Sequence, residues 1–174
     1  MKPVLMNKFF KTTYLLLTAM LVVTSCSRVA EPASEPSADE ISEVLDGWHQ
    51  AAANANFEEY FGYFASDSAI FMGTDATERW TVAEFKPWSK PFFDRGRAWS
   101  FTPVKRVVYF SEDGQTAWFD EELDTPNLGP SRGTGVLSLR ESGWKIEHYN
   151  LTVPIPNELI GEFIPKIDSV LQSK

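Results

Sequence analysis

Apolar positions follow a helical period in the first half of the chain and alternate with polar ones in the second. Ile41, Val44, Leu45, Trp48 and Ala52 recur at helical spacing. Ser37 stands where a capping side chain belongs, and Asp39 and Glu40 suit the positive end of a helix dipole. The pattern predicts a helix that starts after Ser37, runs through Ala55 and ends in the turn Asn54-Ala55-Asn56. Phe57, Tyr60, Phe61 and Phe64 predict a second, short amphipathic helix, broken at Ser66-Asp67. Ala69 to Met72 reads as a short strand, Gly73-Thr74-Asp75 as a turn, and Val82 to Arg95 as a third helix disturbed by Pro87 and Pro91.

From Ala98 onward the period is two. Trp99 to Phe110 forms a long strand in which Pro103 implies a bulge or a sheet edge. Asp113-Gly114 is a hairpin turn. Strands follow at Thr116 to Asp124, Arg132 to Arg140 and Trp144 to Val153, and Pro154-Ile155-Pro156 stops the sheet. Asn157 can cap a last helix carrying Leu159, Ile160, Phe163, Ile164, Ile167 and Leu171, which Pro165 interrupts. Helices first and antiparallel hairpins after give an α+β class. A strongly curved antiparallel sheet wrapped around the N-terminal helices is one way to close it.

The chain's beginning has another character. Lys2, Lys8 and Lys11 precede a short apolar core, Tyr14 to Val23, followed by Val23-Thr24-Ser25-Cys26. This core is too short to span a bilayer, and a charged start, short core and small residues before a cut describe a signal peptide. The segment resembles a bacterial lipoprotein signal with its lipobox. That resemblance implies removal of residues 1–25 and a lipid on Cys26, the only cysteine. Ser27 after it suggests the outer membrane, facing the periplasm. Residues 26–38, rich in Pro, Ser, Ala and Glu, read as a flexible tether. Taking the three lysines away from a net charge of −8 leaves −11. So acidic a domain is unsuited to nucleic acid and to electrostatic binding of anionic lipid. With Cys26 lipidated no disulfide can form, so stability rests on burial, for which six Trp, thirteen Phe and five Tyr provide the surface.

Several segments carry a second resemblance. Trp48-His49-Gln50-Ala51-Ala52-Ala53, Phe57-Glu58-Glu59-Tyr60-Phe61 and Gly73-Thr74-Asp75-Ala76-Thr77-Glu78-Arg79-Trp80 look like the first half of SnoaL-like domains. Ala117 to Glu121, Arg132 to Leu137 and Trp144 to Leu151 extend the likeness. It covers residues 39–157, leaving 158–174 as a helical extension. The family belongs to the nuclear-transport-factor-2-like superfamily. The resemblance implies a cone, a cystatin-like α+β roll, with a pocket at its wide end, and a homodimer paired through the outer sheet face. The superfamily includes isomerases, dehydratases, cyclases, binding domains and noncatalytic dimers, so the fold does not choose among them.

Strand alternation nominates the chemistry. Trp144, Ile146, His148, Asn150 and Thr152 share one face of the last strand. With Trp144 and Ile146 as its core pair, His148 and Asn150 are expected inside the cone. Trp118, Asp120 and Glu122 share one face of their strand; Phe119, Glu121 and Leu123 share the other. Asp120 on a concave, aromatic face would have a raised pKa and could serve as acid or base. Arg132 could equally tie it up in a cross-strand ion pair. His49, beside Trp48, could reach the pocket mouth or simply be hydrogen-bonded. The catalytic candidates are therefore Asp120, His49 and His148, and the ligand-binding candidates are Trp48, Trp80, Trp118, Glu122, Arg132 and Asn150. Gly133 and Gly135 suit sheet bending or close packing better than phosphate binding. No spacing of His with acids forms a metal motif, and no nucleotide loop is present, so neither a metal nor a cofactor is expected. The readings are an envelope domain binding a small, partly apolar molecule, a cofactor-free isomerase, dehydratase or cyclase, and a noncatalytic dimeric module.

Overall fold

The computed structural model describes residues 36–173. The segment expected to be a signal peptide, Cys26 and most of the expected tether lie outside the described residues. The first helix, α1 (Ala38–Ala53), opens with a capping box: Ser37 Oγ accepts the Glu40 N–H, and the Glu40 carboxylate accepts the Ser37 N–H. It ends where Ala55 takes a positive φ of 57°. α2 (Phe57–Gly62) follows, then the short strands β1 (Ile70–Met72) and β2 (Arg79–Thr81). α3 (Val82–Asp94) starts from a second capping box, Thr81 with Glu84. It continues through Pro87 and Pro91. Both prolines are exposed, so the carbonyls they leave unpaired can bond water, while Val82, Phe85, Ser89 and Phe93 keep one buried face.

Four long strands complete the sheet: β3 (Thr102–Phe110), β4 (Thr116–Asp124), β5 (Ser131–Arg140) and β6 (Gly143–Thr152). The strand order is β2-β1-β6-β5-β4-β3. Pro103 has both expected roles: β3 is an edge strand, and its register shifts between Pro103 and Lys105. One pairing departs from the all-antiparallel expectation, since β1 runs parallel to β6. Hairpin signals do not foretell this, because the partner lies far along the chain.

The core lies between the concave face and the helices. Ile41, Leu45 and Trp48 of α1, Tyr60 and Phe61 of α2 and Phe85 of α3 meet Phe119, Leu137, Ile146 and Tyr149 of the sheet. Burial of each such side chain contributes about 1.5–3 kcal/mol. Gly133 and Gly135 allow the close packing anticipated for them. A Cβ on Gly135 would lie 2.6 Å from the His148 carbonyl oxygen and 2.7 Å from the Phe119 ring.

After Pro156 a 3-10 turn (Asn157–Leu159) leads into α4 (Ile160–Gln172), which contains Pro165 without being broken by it. No residue of α4 is buried, and its apolar stripe of Ile160, Phe163, Ile164, Ile167, Val170 and Leu171 is exposed. Among the described residues no helix is long and apolar enough to cross a membrane.

Candidate functional site

A cavity of about 350 Å³ opens beside the helical layer, with Phe71 of β1 and Leu151 of β6 in its wall and the following segments around them. The turn between β1 and β2 contributes Gly73, Thr74 and Glu78, and β2 itself contributes Trp80. α3 adds Phe85, Trp88 and Phe92, one helical turn apart along a single stripe. The connection into β3 adds Trp99 and Phe101, and the β4–β5 loop adds Thr125, Asn127 and Leu128.

The rings form a continuous wall. Phe71 and Phe85 stack at 4.1 Å with planes 7° apart. Trp88 continues the row, 4.6 Å from Trp80 and 5.0 Å from Phe92. Trp99 turns the corner, its plane 61° from that of Phe92. Polar groups are few: Glu78, Thr74, Thr125 and Asn127. Glu78 is placed by the turn, where one carboxylate oxygen accepts the Asp75 N–H at 3.1 Å.

A second polar feature is buried between α1 and the sheet. Glu121, 1% exposed, has both oxygens engaged. One lies 3.0 Å from His49 Nε2 and accepts the Tyr149 hydroxyl at 3.5 Å. The other accepts Arg106 Nε at 3.0 Å and Nη2 at 2.7 Å. Arg106 also donates to Asp46 and to the Ser42 carbonyl, tying β3 to α1. Burial pushes the Glu121 carboxyl up, but the hydrogen bond and charge of His49, joined by Arg106, outweigh it and hold the pKa below the ordinary value. Burial, then the charge of Glu121, drives the Tyr149 hydroxyl well above its usual value. A carboxylate so fully coordinated is a strut and a weak base.

The sequence-derived candidates are not gathered in one place. Ala117, Phe119, Glu121 and Leu123 face inward on β4, so Trp118, Asp120 and Glu122 face outward. The strand therefore has the opposite phase to the one expected, and the inward acid is Glu121, not Asp120. Trp118 stacks on Tyr109 of β3 at 5.9 Å on the outer face. Arg132 lies outward as well, opposite Glu122 rather than Asp120, and among the described residues it forms no ion pair with either. In β6 the core pair is right, with Trp144 and Ile146 buried, but the phase then changes. The β5–β6 register shifts there: Val136 pairs with His148 and Leu137 with Ile146, so Glu147 is an extra residue. Tyr149 and Leu151 turn inward, while His148 and Asn150 turn away from the core. Partial burial and then the charge of Arg79 lower the His148 pKa. His49 is buried and held by Glu121, Trp48 belongs to the core, and Trp80 alone of the candidates lines the aromatic cavity. Sequence reasoning missed Glu78, Trp88 and Phe92 as a group. Their signals were the four-residue spacing on α3 and the two-residue spacing of Glu78 and Trp80.

Among the described residues no group of His, Cys, Asp and Glu could hold a metal ion. The SnoaL-like domain family model matches residues 41–156, well over half of the chain. No curated protein matches the chain. Solved structures resemble it at low identity. A domain of unknown function with a cystatin-like fold from Nostoc punctiforme is 18% identical, with 77% of this chain and 88% of that one covered and a TM-score of 0.59. A nuclear-transport-factor-2-like protein of unknown function from Pseudomonas putida is 12% identical, covering 69% and 88% with a TM-score of 0.55. A candidate dehydratase of the same family from Streptomyces avermitilis is 13% identical, covering 68% and 96%, also with a TM-score of 0.55. Likeness at this identity concerns the fold.

Proposed function

The chain belongs to the SnoaL-like domain family, and we propose that its domain holds a small, partly apolar molecule in the aromatic cavity. One observation carries this reading: a cavity of ligand size whose walls are Trp and Phe rings with a few polar groups among them. Acid-base catalysis of the dehydratase or isomerase kind has less support. Asp120 faces away from the core, and Glu121 is saturated with donors that hold its pKa below the ordinary value. N-phenylnaphthylamine, a neutral dye that brightens in apolar surroundings, tests the reading. Saturable binding at one site, lost in Trp88→Ala with the fold intact, is expected. Binding that survives Trp88→Ala would place the dye elsewhere, for example on the exposed stripe of α4, and would sink the proposal.

The setting of this domain is part of the proposal. A lipid on Cys26 would tether it to the envelope, at the outer membrane, without any contribution from its acidic surface. Mass spectrometry of the mature N-terminus tests this, and a chain beginning upstream of Cys26 would remove the anchor. A homodimer paired through the outer sheet face, where Trp118 and Tyr109 stand exposed, is the accompanying expectation. Light scattering that gives a monomer at micromolar concentration would dismiss it.

A further inference from the structure

The aromatic cavity has a definite electrostatic sign. Among its lining residues Glu78 is the only ionisable side chain; Lys, Arg and His are absent from the wall. Arg79, the neighbour of Glu78, is on the other face of β2, where its charge bears on His148 of the outer sheet. Arg95 lies over the ring of Phe92 at 4.7 Å without itself lining the cavity. The carboxylate is half-buried and kept in place by the Asp75 N–H.

The rings add to the same sign. Indole and phenyl faces carry negative charge density and attract a cation within about 6 Å of the ring centre. Trp80, Trp88 and Trp99 present three indoles to one space, and Trp88 is 42% exposed. A ligand carboxylate or phosphate entering here would meet a like charge and no cationic donor. Its desolvation would be offset by no opposite charge, only by the neutral donors Thr74, Thr125 and Asn127. An ammonium group would meet a carboxylate and several indoles. The chain's net charge of −8 favours the approach of cations at longer range as well.

We propose that the aromatic cavity selects cationic ligands, an amine or quaternary ammonium group carried on an apolar or aromatic body, with Glu78 facing the charge and Trp80, Trp88 and Trp99 facing both charge and body. This inference rests on the reading of the cavity as a binding site. Glu78 and Thr74 set the charged end, and Phe85, Phe92 and Phe101 accommodate the apolar end.

Three probes share one ring system and differ in charge: indole is neutral, tryptamine is cationic and indoleacetate is anionic at neutral pH. Their affinities for the mature chain, measured by calorimetry at low and high salt, test the inference. Tryptamine should bind about five- to tenfold more tightly than indole, a difference of the size that cation–π and carboxylate contacts provide. Indoleacetate should bind more weakly than indole. Glu78→Gln, which keeps the acceptor for the Asp75 N–H, should bring tryptamine close to indole and leave indole itself unchanged. Equal affinity for all three, or a preference for indoleacetate, overturns the charge selection while the cavity remains a binding site. Failure of all three together with the neutral dye would overturn the binding reading and this inference with it. Should Glu78→Gln disturb the turn, Trp88→Leu gives an independent check, since loss of the indole face should cost tryptamine more affinity than indole.

Discussion

Glu121 shows how much depends on which of three adjacent acids faces inward. Its neighbours in sequence, Asp120 and Glu122, are acids as well, and only the inward one is fixed by His49 and Arg106. Removing its charge leaves the Arg106 guanidinium buried without its main partner, so Glu121→Gln should cost about 3–5 kcal/mol of stability. Its pKa is lower in the folded state than in the unfolded one, so the native state binds fewer protons near that pKa. The stability it contributes is complete above the ordinary carboxyl pKa of about 4.3 and is lost as pH falls through and below it. Urea denaturation midpoints between about pH 6 and about pH 3 should fall steeply in the wild type and less steeply in Glu121→Gln. Parallel curves would show that the cluster does not dominate acid sensitivity. The sequence showed three acids in a row and could not say which faced inward, because an error of one residue exchanges the two faces of a strand.

At the scale of elements, glycines in β5 determine how closely the sheet packs on itself. Gly135 faces Phe119 across the β4–β5 pair, and a methyl group there would run into the His148 carbonyl of β6. Backbone cannot swing aside as a side chain can, so Gly135→Ala should cost about 3 kcal/mol or more, at or beyond the upper end of ordinary overpacking. Thermal melting checks this, and a shift of under a degree would mean that β5 relaxes freely. The starts of α1 and α3 were legible, whereas Asn157, expected to cap the last helix, lies within the 3-10 turn and α4 begins at Ile160 with no side-chain cap. Ser37 with Glu40 and Thr81 with Glu84 both form the capping boxes that their three-residue spacing allows. The β6 bulge was illegible. Glu147 has no local signal marking it as the extra residue, and its insertion reverses His148 and Asn150.

At the scale of the molecule, α4 stands apart from the packed domain. It has no buried residue, and the family match ends at residue 156, before it begins. A chain ending at Pro156 should therefore melt within about 2 °C of the full chain, since lost exposed surface contributes little to stability. A drop of about 10 °C or more would show that the stripe of Ile160, Phe163, Ile164 and Ile167 is covered in solution and supports the fold. The cavity belongs to this same scale. It exists only because β1 with the turn after it, α3, the entry to β3, the β4–β5 loop and Leu151 of β6 converge, and these segments are spread over residues 71–151.

The sequence alone determined most of what depends on near neighbours, although β3 begins at Thr102 rather than Trp99 and β2 was not foreseen. It determined the starts of α1 and α3, the cores of the long strands, the edge position implied by Pro103, the order of helices before sheet and, through its motifs, the family. These follow from spacings of two to four residues, over which backbone geometry is regular. Tertiary structure alone decided the parallel β1–β6 pair, the phase of β4, the reversal after the β6 bulge and the gathering of Glu78 with Trp80, Trp88 and Trp99. Each of these depends on contacts between residues far apart in the chain, and a single extra residue in one strand is enough to redirect every side chain beyond it.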